Sequence, residues 1–112
     1  MEQDKLQICQ SVLDLEDLEV FFHPTEPGRK PLPVLRNGVV KEGSNLTKFG
    51  EPVRLVTDET AKGSPYFEFT SLDVRDGSAT VTFQYRVEGI QGKAELRREG
   101  GWKVTSHEIV EQ

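Results

Sequence analysis

Residues 66 to 110 contain four strand-like runs, 66–75, 79–88, 90–98 and 102–110, separated by Asp76-Gly77, by Gly89 and by Glu99-Gly100-Gly101. Each separator is short enough for a hairpin connection and carries the glycine that tight turns favour. The last third of the chain therefore reads as an antiparallel meander. In its second run Ala79, Val81, Phe83, Tyr85 and Val87 share one parity, while Thr80, Thr82, Gln84, Arg86 and Glu88 share the other. Successive strand side chains point to opposite faces, so one face is buried and the other meets water. The third run repeats the pattern, with Ile90, Gly92, Ala94 and Leu96 against Gln91, Lys93, Glu95 and Arg97. Gly92 and Ala94 leave room on the apolar face for a closely packed helix.

Two breaks in parity point to a bent sheet. Phe67 and Phe69 share one parity and Leu72 and Val74 the other, which a β-bulge near Thr70 and Ser71 reconciles by restoring a common inward face. In the last run Trp102 and Val104 are followed at the same parity by Ser106 and Glu108, whereas Ile109 takes the opposite one. A bent sheet wrapped on a helix has a concave apolar face, the natural place for a ligand pocket.

The helix is found at the N-terminus. From Lys5 to Leu15 the residues Leu6, Ile8, Cys9, Val12, Leu13 and Leu15 fall on half of a helical wheel, opposite Gln7, Gln10, Ser11 and Asp14, and the periodicity predicts a helix over about 4–16. Beyond it Leu18, Val20 and Phe22 alternate with Glu19 and Phe21, a pattern that suits a strand better than another helical turn. Residues 23–65 are irregular and rich in proline and glycine. Within them a short hairpin is expected at 34–40, centred on Asn37-Gly38, and a strand at Val53 to Thr57.

At 112 residues the chain fits a single α+β domain, and a chain of that size buries roughly 65% of its unfolded surface without cross-links. The single cysteine, Cys9, has no disulfide partner and reads as a small buried apolar residue. The net charge of -5 argues against a phosphate-backbone binder, so nucleic acid is not expected as a partner. Residues 1 to 20 carry six acids, Glu2, Asp4, Asp14, Glu16, Asp17 and Glu19, against Lys5 alone, and so account for the whole net charge. A protein partner chosen by charge would present a basic surface to Glu16, Asp17 and Glu19. No apolar run reaches the ~18 residues of a membrane span, and no signal segment is evident. The compartment stays open: cytoplasmic if the chain is complete, extracytoplasmic if a signal segment was removed.

The ending Gly101, Trp102, Lys103, Val104 and His107, together with "VTFQYRVEGIQGKAEL", resembles the closing strands of the cystatin-like α+β superfamily, especially its ketosteroid-isomerase and nuclear-transport-factor branch. The resemblance covers about the last third of the chain. It implies one N-terminal helix packed on a bent antiparallel meander. It also implies an apolar concavity that in an isomerase holds an acid or base and an oxyanion donor. The middle third departs from that branch, since residues 24 to 65 are too rich in proline and glycine for its additional helices. The inhibitory hairpins of a true cystatin are absent. "QYRVEG" has one residue too many, and the turns at Gly89 and at Gly100-Gly101 fall at opposite ends of their shared strand.

Two function classes follow. One is a non-enzymatic protein-interaction domain that uses Glu16, Asp17 and Glu19, or Arg86, Lys93 and Arg97 on the polar sheet face. The other is a site for a small apolar ligand, or a ketosteroid-isomerase-like enzyme, in a concavity lined by Phe67, Phe69, Phe83, Tyr85 and Trp102. In that second class Tyr85, His107 and Glu108 are the catalytic candidates. His23 and His107 are the sole imidazoles and belong to no ligand motif, so neither a metal nor another cofactor is expected. Phosphate-loop and dinucleotide fingerprints are missing. Exposed sheet edges leave a dimer open.

Overall fold

The structure, a computed structural model, describes residues 2–22, 25, 31–37, 40, 46–61 and 65–111. Helix α1 spans Glu2–Leu13, a 3-10 turn Glu16–Leu18 and the short helix α2 Glu19–Phe22. Strands β1 (Pro33–Leu35), β2 (Thr47–Lys48), β3 (Glu51–Pro52) and β4 (Arg54–Val56) follow, then a single helical turn, α3 (Asp58–Ala61). The chain closes with β5 (Phe67–Arg75), β6 (Ser78–Tyr85), a 3-10 turn at Arg86–Glu88, β7 (Ile90–Arg98) and β8 (Trp102–Glu111). One mixed sheet of six strands has the order β4-β1-β5-β6-β7-β8, and β2 pairs with β3 separately. The protein is thus α+β, with an antiparallel meander extended by two parallel strands.

The meander forms where the alternation places it. The predicted bulge is present: Phe69 lies opposite Phe83 and Ser71 opposite Thr82, so Thr70 is the extra residue and Leu72 returns to the inner face opposite Val81. The second run ends sooner than its alternation suggests. β6 stops at Tyr85, and Val87 sits half-exposed in the following 3-10 turn.

Three expectations give way to the structure. Leu18, Val20 and Phe22 are not a strand but the 3-10 turn and α2. Leu18 and Phe22, four residues apart, both reach the core, while Val20 is 68% exposed; a helical turn delivers that burial and an alternating strand does not. Of the hairpin expected at 34–40, Gly38 and Val39 lie outside the described residues, but β1 takes its partners elsewhere. It pairs in parallel with β4 on one side and with β5, through Val34 and Phe67, on the other. The Asn37 amide instead donates to the Phe69 carbonyl at 2.9 Å, beside the Thr70 bulge. Lastly, the space at Gly92 is filled by the ring of Phe83 rather than by a helix. A Cβ there would lie 2.5 Å from Phe83 Cζ and 2.8 Å from the Glu108 carbonyl oxygen.

The tight turn that the middle region does build is at Phe49-Gly50, between β2 and β3. Both residues have positive φ, 57° and 77°, as a type I′ turn requires. Phenylalanine is an unusual occupant of that region. Its ring makes an edge contact with Phe22, centroids 5.9 Å apart, and this contact offsets part of the strain. The adjacent Lys48 is 7% exposed. Its ammonium donates to the carbonyl of Leu13, the last residue of α1, at 2.8 Å and pairs with Glu19, the first residue of α2. The same ammonium lies 4.9 Å from the Phe22 ring centroid and 5.7 Å from that of Phe49. One cation thereby satisfies a helix C-terminus, an acid and two aromatic faces. Gln10 adds a second tie, donating to the Thr47 carbonyl and accepting from the Thr47 amide, each at 2.9 Å.

Two measurements test these packing arguments. Lys48→Met should lower stability by about 1–3 kcal/mol, seen as a lower urea midpoint with unchanged slope, because a buried carbonyl and a carboxylate lose a charged donor. Gly92→Ala should cost about 1–3 kcal/mol by overpacking, and adding Phe83→Leu should leave a double variant less destabilised than the sum of the two single changes.

Candidate functional site

Helix α1 lies across β6 and β8 and closes the inner face of the meander. Ile8, Cys9, Val12 and Leu13 are buried there with Val81, Phe83, Ala94 and Leu96. Of the five residues expected to line a concavity, four join one aromatic cluster. Phe67 lies 5.1 Å from Phe69, 5.6 Å from Phe83 and 5.8 Å from Tyr85, centroid to centroid. Phe22 closes the cluster, 5.9 Å from Phe67 and 5.8 Å from Tyr85. These rings occupy one another's contact distance, the arrangement of a packed interior. Trp102, the fifth, stands apart at the start of β8, where its Nε1–H donates to Asp4 Oδ1 at 3.3 Å.

The catalytic candidates do not converge. Tyr85 is fully buried in the aromatic cluster. A bulge at Thr105, where Ser106 lies opposite Glu95 and Val104 opposite Leu96, reverses the parity of the second half of β8. His107 then faces inward opposite Ala94, and Glu108 faces outward opposite Lys93. His107 Nε2 is 2.7 Å from Asp17 Oδ2, so a ring N–H is positioned to donate to that carboxylate. His23 lies outside the described residues. Among the described residues no three His, Cys, Asp or Glu side chains gather as metal ligands. No described helix is long and apolar enough to cross a membrane.

The acidic N-terminal segment is largely engaged inside the molecule. Asp4 holds Trp102 and lies 3.8 Å from Arg98, Asp17 holds His107, and Glu19 holds Lys48. Of the three acids proposed to meet a partner, Glu16 alone makes no side-chain hydrogen bond or ion pair among the described residues.

The outer face of the meander is different. Its register sets four rows across the strands: Glu68-Gln84-Gln91-Val110, Ser71-Thr82-Lys93-Glu108, Asp73-Thr80-Glu95-Ser106 and Arg75-Ser78-Arg97-Lys103. None of these side chains is buried. The Thr82 hydroxyl is hydrogen-bonded to those of Thr70 and Ser71, and Gln84 donates to Glu68 at 2.7 Å. Lys93, Arg97, Lys103 and Glu108 make no ion pair among the described residues, even though Lys93 and Glu108 are direct cross-strand neighbours. Two adjoining shallow hollows, about 270 and 250 Å³, flank that pair. Thr70, Thr82, Gln84, Gln91 and Val110 line the first; Glu95 and Ser106 line the second. Of the three basic residues expected on the polar sheet face, Lys93 and Arg97 therefore share one face, while Arg86 sits off it in the turn after β6. Lys103 and Arg75 were not singled out by sequence, and Glu108, expected as a catalytic candidate within the concavity, stands on this outer face because of the Thr105 bulge.

Cys9 is closed to chemistry. Burial pushes its thiol from 9.0 up to about 12, with the charge of Lys5 pulling weakly the other way. The native thiol should therefore react with an aromatic disulfide reagent roughly 100-fold more slowly than the urea-unfolded chain, since reaction waits for opening. The folded state keeps this proton longer than the unfolded state. Its contribution to stability is thus complete below pH 9.0 and is lost as pH rises toward about 12. Urea midpoints compared with Cys9→Ala should show an alkaline decline that the variant lacks.

A scan against protein-family models and searches of curated proteins and of solved structures find no match to this chain.

Proposed function

We propose that this chain is a non-enzymatic protein-interaction domain whose recognition surface is the outer face of the β5–β8 meander. The observation that carries the reading is the contrast between the two faces. The inner face is closed by α1 and an aromatic cluster, whereas the outer one bears Lys93, Arg97, Lys103 and Glu108 without ion-pair partners among the described residues. Charges left unpaired on a rigid sheet contribute little to folding but remain available for steering and register in a complex. The acidic segment is the lesser surface, because Asp17 and Glu19 already serve the fold.

The fold reading that accompanies this function is cystatin-like: one long helix laid over a meander of four consecutive strands. Its support is the α1 contact with β6 and β8 and the consecutive pairing of β5 to β8. The parallel strands β1 and β4 are a departure from that plan. A ketosteroid-isomerase-like site draws no support from Tyr85, His107 and Glu108, which lie in the core, on the inner face and on the outer face in turn.

Affinity capture from an extract of the source cells tests the proposal, using the wild-type chain, Thr82→Arg and Glu16→Gln. Thr82→Arg sets a long cation in the middle of the outer face. A protein held by the wild type and by Glu16→Gln but released by Thr82→Arg is the expected result. Equal retention by all three chains, with unchanged circular dichroism, would overturn it.

A further inference from the structure

We infer that the outer face binds an extended peptide segment in which an acid, a base and a second acid alternate at every other residue, laid along β7. The inference rests on the reading of the outer face as a recognition surface and names the chemistry it selects. Along β7 the outward charged residues are Lys93, Glu95 and Arg97, three charges of alternating sign with one residue between each. Side chains on one face of a strand repeat about every 6.8 Å, and an extended peptide repeats at the same interval. Its charges therefore stay in step with those of β7 and can alternate in sign with them, whereas a polyanion would set a like charge over Glu95. Lys93 and Arg97 form no ion pair with Glu95 or with any other described residue. The Glu95 carboxylate accepts only a 3.4 Å contact from Ser106 Oγ among described residues, while its backbone carbonyl accepts from Thr105 Oγ1 at 3.1 Å.

The two ends of the stripe strengthen the case. Arg97 lies directly opposite Lys103, and Ser78 separates it from Arg75. Like charges facing one another across strands destabilise a sheet, and no described acid neutralises Arg97 or Lys103. Arg75 is engaged by Asp73 at 3.1 Å in a highly exposed pair that competes weakly with a ligand. An incoming carboxylate over Arg97 would relieve the Arg97–Lys103 repulsion. The next row, Asp73-Thr80-Glu95-Ser106, is acidic and calls for a base two residues on. Lys93 then receives the second acid. A nucleic-acid backbone would meet Asp73 and Glu95 with like charge, and the chain's net charge of -5 opposes it further.

The test is a titration of the labelled full chain, followed by amide NMR shifts, with the peptides Thr-Glu-Thr-Lys-Thr-Glu-Thr, Thr-Lys-Thr-Glu-Thr-Lys-Thr and Thr-Glu-Thr-Glu-Thr-Glu-Thr and with oligothymidylate. The first should shift Lys93, Glu95, Arg97 and Ser78 and bind at least about fivefold more tightly than the other probes at low salt. The variant Lys93→Glu, Glu95→Lys, Arg97→Glu, on exposed positions, should exchange the preference so that it binds the second peptide and releases the first. Equal binding of all peptides, tighter binding of oligothymidylate, shifts confined to another surface, or a variant with unchanged preference would each overturn the inference. If Thr82→Arg abolishes partner capture while no peptide binds along β7, this inference fails and the outer-face reading stands; if capture is also indifferent to Thr82→Arg, both fail.

Discussion

The ammonium of Lys48 is the interaction on which the N-terminal half depends. α1 ends at Leu13, and Leu15 with ψ of 126° takes the chain out of helical conformation, so the carbonyl at that end needs a donor from elsewhere. Lys48 reaches it from the β2–β3 hairpin and holds Glu19 and two phenylalanine faces at the same time. Burying a lone cation is unfavourable. Here Glu19, whose side chain is about half exposed, keeps much of its hydration while neutralising it. The positive φ of Phe49 belongs to the same arrangement, because the turn that strains Phe49 is what sends Lys48 inward and lays its ring against Phe22.

From that anchor the acidity of the first 20 residues acquires a structural use. Asp4 and Asp17 fasten the two ends of the helical segment to β8 through Trp102 and His107, and Glu19 fastens it to the hairpin. Internal acids are matched with internal cations and ring N–H groups, so Lys93, Arg97 and Lys103 of the meander are left without an acid partner among the described residues. This division gives a net-acidic chain neutralised seams and a charge-patterned outer face, and it moves the functional weight from the helix to the sheet.

What the sequence made legible follows the physics of period. The meander, the buried face of α1 and the Thr70 bulge each rest on apolar alternation within a few neighbouring residues, and each was readable. The 3-10 turn and α2 were not, because Leu18, Val20 and Phe22 satisfy both a strand's parity and a helix's i, i+4 spacing, and only tertiary burial selects between them. Asn37-Gly38 carried the stronger turn signal, yet Phe49-Gly50 forms the type I′ turn, since the packing of a ring and a buried lysine outweighs local preference. The parallel partners of β1 depend on segments some 20 to 30 residues distant, and Lys48 reads as an ordinary loop lysine until its surroundings are known. The outer rows required the register of three strand pairs. Lys93 and Arg97 were visible as polar residues, but the opposition of Arg97 and Lys103 was not.

The single extra residue at Thr105 shows how closely fold and surface are linked. Continued without the bulge, the register that places Val104 opposite Leu96 would put His107 opposite Lys93 and Glu108 opposite Gly92. His107 would then leave Asp17, and the Glu108 carboxylate would be driven toward the apolar side, where Phe83 already fills the space over Gly92. With the bulge, His107 turns inward to hold the helical segment and Glu108 turns outward to stand beside Lys93. The same backbone irregularity therefore fastens the helix and sets the charge order of the outer face, so a partner that reads that order also reads the integrity of the core beneath it.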